Sequence, residues 1–370
     1  MAGNLRDRLK RIQVMEKGRG APATRKPPLS PPVSSALPGW ESAGYLTLRR
    51  EITGSERFVL PKPIPENAGM VMPGLGSAAT YEDLLFFDLE TSGLSGGAGT
   101  VAFLAAFGRL CTGGKAKTKT ASYQLHITQY LLLDYPGEPD FIEALVREIK
   151  RGGNTIIVSY NGKSFDSQIL KTRCLMNGIS PPQYFHADLL HPSRRFWKRL
   201  LPDCSQGTIE TNILGLDRTG DIPGAMAPEI WFSFLRDGAA EPLLGICEHN
   251  RKDIAGLAAI FSAMIAISND PVGIFEKMQF DIEQYALTLR AIALLRHVAA
   301  MAASAGCLPL RPVSLRALAI DSEHRLKNPA EALMFAEQGL ELLPLESSLR
   351  KDFERRVDRL KGKLGMRNEE

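Results

Sequence analysis

Residues 84–93 read LLFFDLETSG. Four apolar residues in a row, two of them aromatic, predict a strand buried on both faces. That strand then ends on Asp88, one leucine and Glu90. Residues i and i+2 of a strand point to the same face, so the two carboxylates converge where the glycine-rich SGLSGGAGT opens space. Like charges a few ångströms apart repel, and one carboxyl stays protonated unless a cation sits between them. Oxygen ligands of this kind suit hard ions such as Mg²⁺ or Mn²⁺. The plain alternative is a pair of exposed carboxylates at a strand end.

Outward from this stretch the pattern alternates strands and helices. TVAFLAAFGRL (100–110) and ASYQLHITQYLL (121–132) predict two further strands, joined by short turns into a meander. DFIEALVREIKRG is an amphipathic helix, NTIIVSY (154–160) another apolar strand, and SFDSQILKTRCLMNG a helix with a glycine stop. The expected architecture is α/β: a mixed sheet with flanking helices over about 39–270. From about 275 to 370 the pattern is helical throughout. SLRALAIDSEHRLKNPAEALMFAEQGLELLP (314–344) predicts a helical hairpin that resembles a tetratricopeptide unit. Too few units fit for an independent repeat array, so this region is expected to pack on the first.

Two more segments bring acids. SYNGKSFDSQIL follows a buried strand and puts Asp166 on the first turn of a helix. EHNRKDIAGL puts His249 and Asp253 four apart, on one helical face. Asp253 leads into the apolar IAGLAAIF, and a carboxylate starting a buried helix needs a partner or a metal.

Taken together these residues resemble the DEDD group of ribonuclease-H-like 3′–5′ exonucleases. FFDLETSGL matches the first motif with Asp88 and Glu90, YNGKSFD the second with Asn161 and Asp166, and HNRKD the third with Asp253. The chain also resembles the bacterial YprB-like proteins, which join such a domain to tetratricopeptide-like helices. DLLHPSRRFWKRLL, CSQGTIETNILGLDR and DIPGAMAPEIWFSFLRDG also resemble that family's stretches. The match covers about 80 to 268, with the tail more loosely. The resemblance implies two divalent ions, Mg²⁺ or Mn²⁺. Asp88 would bridge them, Glu90 and Asp253 would complete one, and Asp166 would hold the other. It implies hydrolysis of single-stranded DNA or RNA from a 3′ end. His249 is the candidate general base, although it stands at the spacing where one subgroup has Tyr. Thr91, Leu94, Asn161, Lys163, Arg194 and Arg195 are the candidate substrate contacts. Leu94 would wedge beside the terminal base, or is a packing leucine. Asp188 is a further site residue or a helix N-cap.

Other features bound the reading. The 370 residues are 44% hydrophobic and 23% charged, ordinary globular composition, with a net charge of +4 that is compatible with an anionic partner. Five scattered cysteines without a C-x-x-C pair argue against a disulfide framework or zinc ribbon and for a reducing, cytoplasmic setting. The N-terminus shows no secretory pattern, and AGLAAIFSAMIAI is too short to span a membrane, so no membrane partner is expected. Residues 1–38 carry eight Lys or Arg before residue 30 and a Pro-rich stretch, predicting a disordered tail that is either solvated or a basic arm on nucleic acid. RRFWKR (194–199) reads either as cations on phosphates with an aromatic under a base, or as core aromatics with solvated cations. NGKS lacks the upstream glycine of a phosphate-cradling loop, which excludes an NTPase. The rival to an enzyme is a nucleic-acid-binding or scaffold protein that keeps this fold and binds a protein partner through its helical tail.

Overall fold

The computed structural model describes residues 37–76, 78–93, 99–112, 119–305 and 310–366. Leu94, part of the glycine-rich loop, Cys307 and nearly all of the basic N-terminal segment lie outside the described residues. The chain divides into Met1–Trp40 and a compact unit, Glu41–Glu370.

The strands of that unit are β1 (Glu41–Gly44), β2 (Thr47–Pro61), β3 (Leu84–Thr91), β4 (Ala102–Thr112), β5 (Thr120–Leu132), β6 (Ile156–Ser159) and β7 (Phe185–Asp188). They form one sheet of order β1-β2-β5-β4-β3-β6-β7. β3, β4 and β5 are the expected antiparallel meander. β6 and β7 extend it in parallel. Parallel neighbours need crossovers, and α1 (Glu138–Lys150) and α2 (Asp166–Met176) supply them. The sequence pattern had not signalled β2. Its charges stand at adjacent positions, Arg49, Arg50 and Glu51 and then Glu56 and Arg57, and a register shift between Thr53 and Arg57 further breaks the alternation that marks a strand.

Three shorter helices follow β7: α3 (Leu190–Trp197), α4 (Gln206–Asn212) and α5 (Ala227–Asp237). Next comes α6 (Ala240–Asn269), which lies across β2, β3, β4 and β5. Phe261 meets Phe86 edge to face at 5.6 Å, anchoring α6 on β3. By length and composition this 30-residue helix could cross a membrane, a correction to the short run expected from sequence; in the fold it is the core helix.

The tail consists of α7 (Ile282–Thr288), α8 (Ile292–Ala305), α9 (Pro312–His324), α10 (Pro329–Glu341) and α11 (Arg350–Lys363). One apolar cluster runs from Phe86 and Phe261 through Phe196, Phe280 and Tyr285 to Leu315 and Phe353. RRFWKR is part of it: Phe196 and Trp197 are 1% and 0% exposed, and the Trp197 indole donates to the Gln279 carbonyl at 3.1 Å. Burial overturns the reading of an aromatic under a base, because neither ring can reach a ligand. Arg199 is also engaged, with Glu283 at 3.3 Å and Asp281 at 3.6 Å.

Candidate active site

β3 delivers Asp88 and Glu90 to the face on which α6 lies. Asp88 is held there by Asn250 of α6, whose Nδ2 donates to Asp88 Oδ2 at 2.7 Å. Asn250 is itself fixed, since Gln129 Nε2 of β5 donates to its Oδ1 at 2.8 Å and to the Cys247 carbonyl at 2.8 Å. Gln129 Oε1 accepts from Arg50 Nε of β2 at 2.7 Å. Gln129 and Asn250 are both 0% exposed. Buried amides persist only when satisfied, so this chain fixes the carboxylate's orientation.

On the same helix His249, the residue before Asn250, and Asp253, one turn further on, share a face. His249 Nε2 lies 3.3 Å from Asp253 Oδ2 and 4.0 Å from Glu90 Oε1. On its other side, Nδ1 lies 3.0 Å from Asp221 Oδ2. Arg218 gathers three acids: Nη2 to Asp253 Oδ1 at 2.5 Å, Nη1 to Asp221 Oδ2 at 2.7 Å, and Nε to Glu210 Oε2 at 2.6 Å. Glu210 of α4 reaches this spot because α6 has glycine opposite it. A Cβ on Gly256 would lie 1.6 Å from Glu210 Oε1.

Asp166 opens α2 and is 6% exposed. The turn before it contains Asn161 at φ 63, a left-handed conformation that Asn tolerates. Asp188 clips that turn, accepting from Asn161 N at 2.8 Å, Lys163 N at 3.0 Å and Leu190 N at 3.0 Å. Asp188 is therefore occupied as a backbone acceptor. His186, between Ser159 Oγ at 2.7 Å and Ser167 Oγ at 3.2 Å, is pushed by burial down to about 4 and is neutral.

The electrostatics follow from this enclosure. Burial, then the charges of Asp253 and Asp166, push Asp88 well above the usual carboxylate range, against the pull of Asn250 and His249. Burial and the neighbouring acids do the same to Glu90. Burial raises Asp166 to about 7, with Asp188 adding to it. Asp221 behaves oppositely: the Arg218 and His249 contacts outweigh its burial and hold it below its ordinary value. The donor set suits a divalent cation: carboxylates from three segments, too crowded to ionise together without one. Glu90, His249 and Asp253 each offer an atom within 4.8 Å of the others.

Asp88, Glu90, Asp166, Asp253 and His249 thus converge. The candidate substrate contacts are placed differently. Thr91 is buried and its hydroxyl donates to the Gly93 carbonyl at 2.9 Å. Asn161, Lys163 and Arg194 are exposed, and Arg195 is half-buried. Sequence reasoning missed Gln129, Glu210, Arg218, Asp221 and Asn250. Arg218 and Asp221 sit within or beside the family-like stretches quoted above, and Asn250 adjoins His249, so proximity to a motif was the available signal.

Comparison with known proteins agrees with this architecture. Residues 85–265 match the family model RNase_H_2, of the RNase_H superfamily. The uncharacterized protein YprB of Bacillus subtilis (strain 168) is 35% identical over 187 residues, 49% of this chain and 42% of YprB, so the chain aligns with less than half of that relative's length. The family B DNA polymerase from the hyperthermophilic archaeon Pyrobaculum calidifontis is similar over 75% of this chain and 45% of its own, at 13% identity and a TM-score of 0.37, a likeness too loose to bear on function. Residues 85–265 form a ribonuclease-H-like domain, a fold whose members are commonly metal-dependent nucleases acting on nucleic acid.

Proposed function

We propose that the chain is a divalent-metal-dependent 3′–5′ exonuclease of the DEDD type that hydrolyses single-stranded DNA or RNA. The observation that carries this reading is the convergence of Asp88, Glu90, Asp166 and Asp253 from β3, α2 and α6 into one group that lacks enough cations of its own. Asp88 would serve as the shared ligand, with Glu90 and Asp253 completing one site and Asp166 holding the other. Two bound ions, Mg²⁺ or Mn²⁺, would supply Lewis acidity, making an attacking water more acidic and offsetting charge on the leaving 3′ oxygen.

The remaining work belongs to the chain's own residues. Asn250 keeps Asp88 aimed into the site. Arg218 holds Asp253 and Asp221 in place. Lys163 and Arg194, exposed near the turn that carries Asp166, meet substrate phosphates, with Asn161, Thr91, Leu94 and Arg195 as further contacts. The helical tail, tetratricopeptide-like by resemblance, is the surface for a protein partner.

The test is purified protein on single-stranded DNA and RNA labelled at either end, with Mn²⁺ or Mg²⁺. A 5′ label should give a ladder shortening with time, and a 3′ label should be released as mononucleotide at once. Internal cuts without dependence on the 3′ end would replace the exonuclease reading with an endonuclease. Binding without cleavage under any metal would leave the scaffold reading.

A further inference from the structure

Both nitrogens of His249 face carboxylates. Nδ1 is 3.0 Å from Asp221 Oδ2, and Nε2 is 3.3 Å from Asp253 Oδ2. A neutral imidazole has one N–H, and its other nitrogen carries a lone pair. With Nδ1–H given to Asp221, the Nε2 lone pair points at oxygen lone pairs of Asp253 and Glu90, which repels. A free base would need that lone pair turned toward a water. A cation placed between Nε2 and the two acids removes that repulsion and satisfies all three groups at once.

Resting on the reading of the acidic group as a metal centre, we propose that His249 is a metal ligand rather than a free general base. Nε2, Glu90 and Asp253 form a mixed nitrogen–oxygen site that prefers Mn²⁺, or another first-row transition ion, over Mg²⁺. Bonds of about 2.1 Å set neighbouring ligand atoms roughly 3.0–3.4 Å apart. The 3.3 Å between His249 and Asp253 fits such neighbours. Space for an ion is kept by Gly224, where a Cβ would lie 2.9 Å from His249 Nε2. Asp221 provides the outer support usual for a ligating histidine: its contact with Nδ1 sets the tautomer and leaves Nε2 free to coordinate. Arg218 holds Asp221 at 2.7 Å and occupies Asp253 Oδ1 at 2.5 Å, which directs Asp253 Oδ2 toward the imidazole. Mg²⁺ favours all-oxygen shells and gives up water reluctantly, whereas imidazole suits transition ions.

The test uses the full chain with one equivalent of Mn²⁺ and no nucleic acid. Pulsed EPR should show ¹⁴N coupling from a directly bound imidazole, and His249→Ala should lose it. By calorimetry, Mn²⁺ affinity should fall at least about tenfold in His249→Ala and about tenfold in Asp221→Asn. Gly224→Ala removes no ligand and should weaken Mn²⁺ to a similar degree. Mg²⁺ affinity should stay within about threefold in His249→Ala and Asp221→Asn, with circular dichroism checking that each variant is folded. Mn²⁺ bound to wild type without nitrogen coupling, or coupling that survives His249→Ala, overturns the proposal; if strands are still hydrolysed, the nuclease reading stands without it. Absence of any Mn²⁺ binding overturns both.

Discussion

Two groups of enclosed acids in this molecule are built on opposite principles. In α9, Asp321 Oδ2 accepts from Arg296 at 2.8 Å and from Arg325 at 2.9 Å. Glu323 accepts from Arg356 at 2.9 Å and Lys363 at 2.7 Å, and also from Arg359. Their cations, Arg325 foremost for Asp321 and Arg359 for Glu323, outweigh burial and pull both acids down to about 2. On β3 and α2 the acids are buried without such cations, and burial foremost, with Asp188 adding to it, raises Asp166 to about 7. Complete pairing gives a strut that holds the helical tail together. Incomplete pairing is a standing demand for a cation, and sites under such demand are where function concentrates.

The largest expected effect breaks the demand at its centre. Asp88→Asn should lower hydrolysis by about 10³-fold, as loss of several kcal/mol of transition-state stabilisation requires. Its metal-free thermal midpoint should hold or rise, because a repelling charge is gone. Unchanged hydrolysis in that variant would remove Asp88 from the mechanism. Next in size, Asn250→Ala should weaken Mn²⁺ binding about 10–100-fold by freeing the Asp88 carboxylate to turn. Titration giving wild-type affinity would mean that the amide chain from Arg50 serves packing alone.

The paired cluster should respond the other way. Glu323→Gln strands several cations and should cost about 1–2 kcal/mol of unfolding free energy in denaturant titration, with Mn²⁺ affinity untouched. The smallest expected effect is a divergence in pH dependence. Asp321 and Glu323 have depressed values, so their stabilisation is present above about pH 4 and is lost as pH falls toward about 2. Asp166 has a raised value, so the metal-free fold binds the extra proton and loses stability as pH rises from about 4 through 7. The metal-free thermal midpoint should therefore drop a few degrees between pH 5.5 and 8, and Mn²⁺ should restore it. An equal drop with Mn²⁺ present would show that no ion meets these acids.

What could be read ahead of the structure follows the range of each signal. The β3 stretch announces itself because burial and the i, i+2 pairing of Asp88 with Glu90 are local. The meander and the parallel extension were legible from apolar runs and turns. Asp253 was marked by the apolar run it opens, which demands a partner or a metal, but its role needed the resemblance; Asp166 needed the resemblance outright, since a single carboxylate on a helix turn carries no signal of its own. The supporting residues were not legible. Gln129 meets Asn250 across 121 positions and Arg218 meets Asp253 across 35, and no periodicity links such pairs. In RRFWKR, composition alone left two orientations open, and the buried face of α3 decided for the core. β2 was missed because its bulge interrupts the alternation on which strand recognition depends.

The central claim is that the acids of β3, α2 and α6 are left short of positive charge so that a divalent ion completes them. Calorimetric titration of Mn²⁺ into wild-type protein at pH 6.5, repeated in buffers of different ionisation enthalpy, measures this directly. Ligand carboxylates must lose their protons to bind a metal, so the account requires saturable binding with release of about one proton, and loss of both in Asp88→Asn. Mn²⁺ that binds with no proton release, or binds Asp88→Asn as it binds wild type, would contradict it.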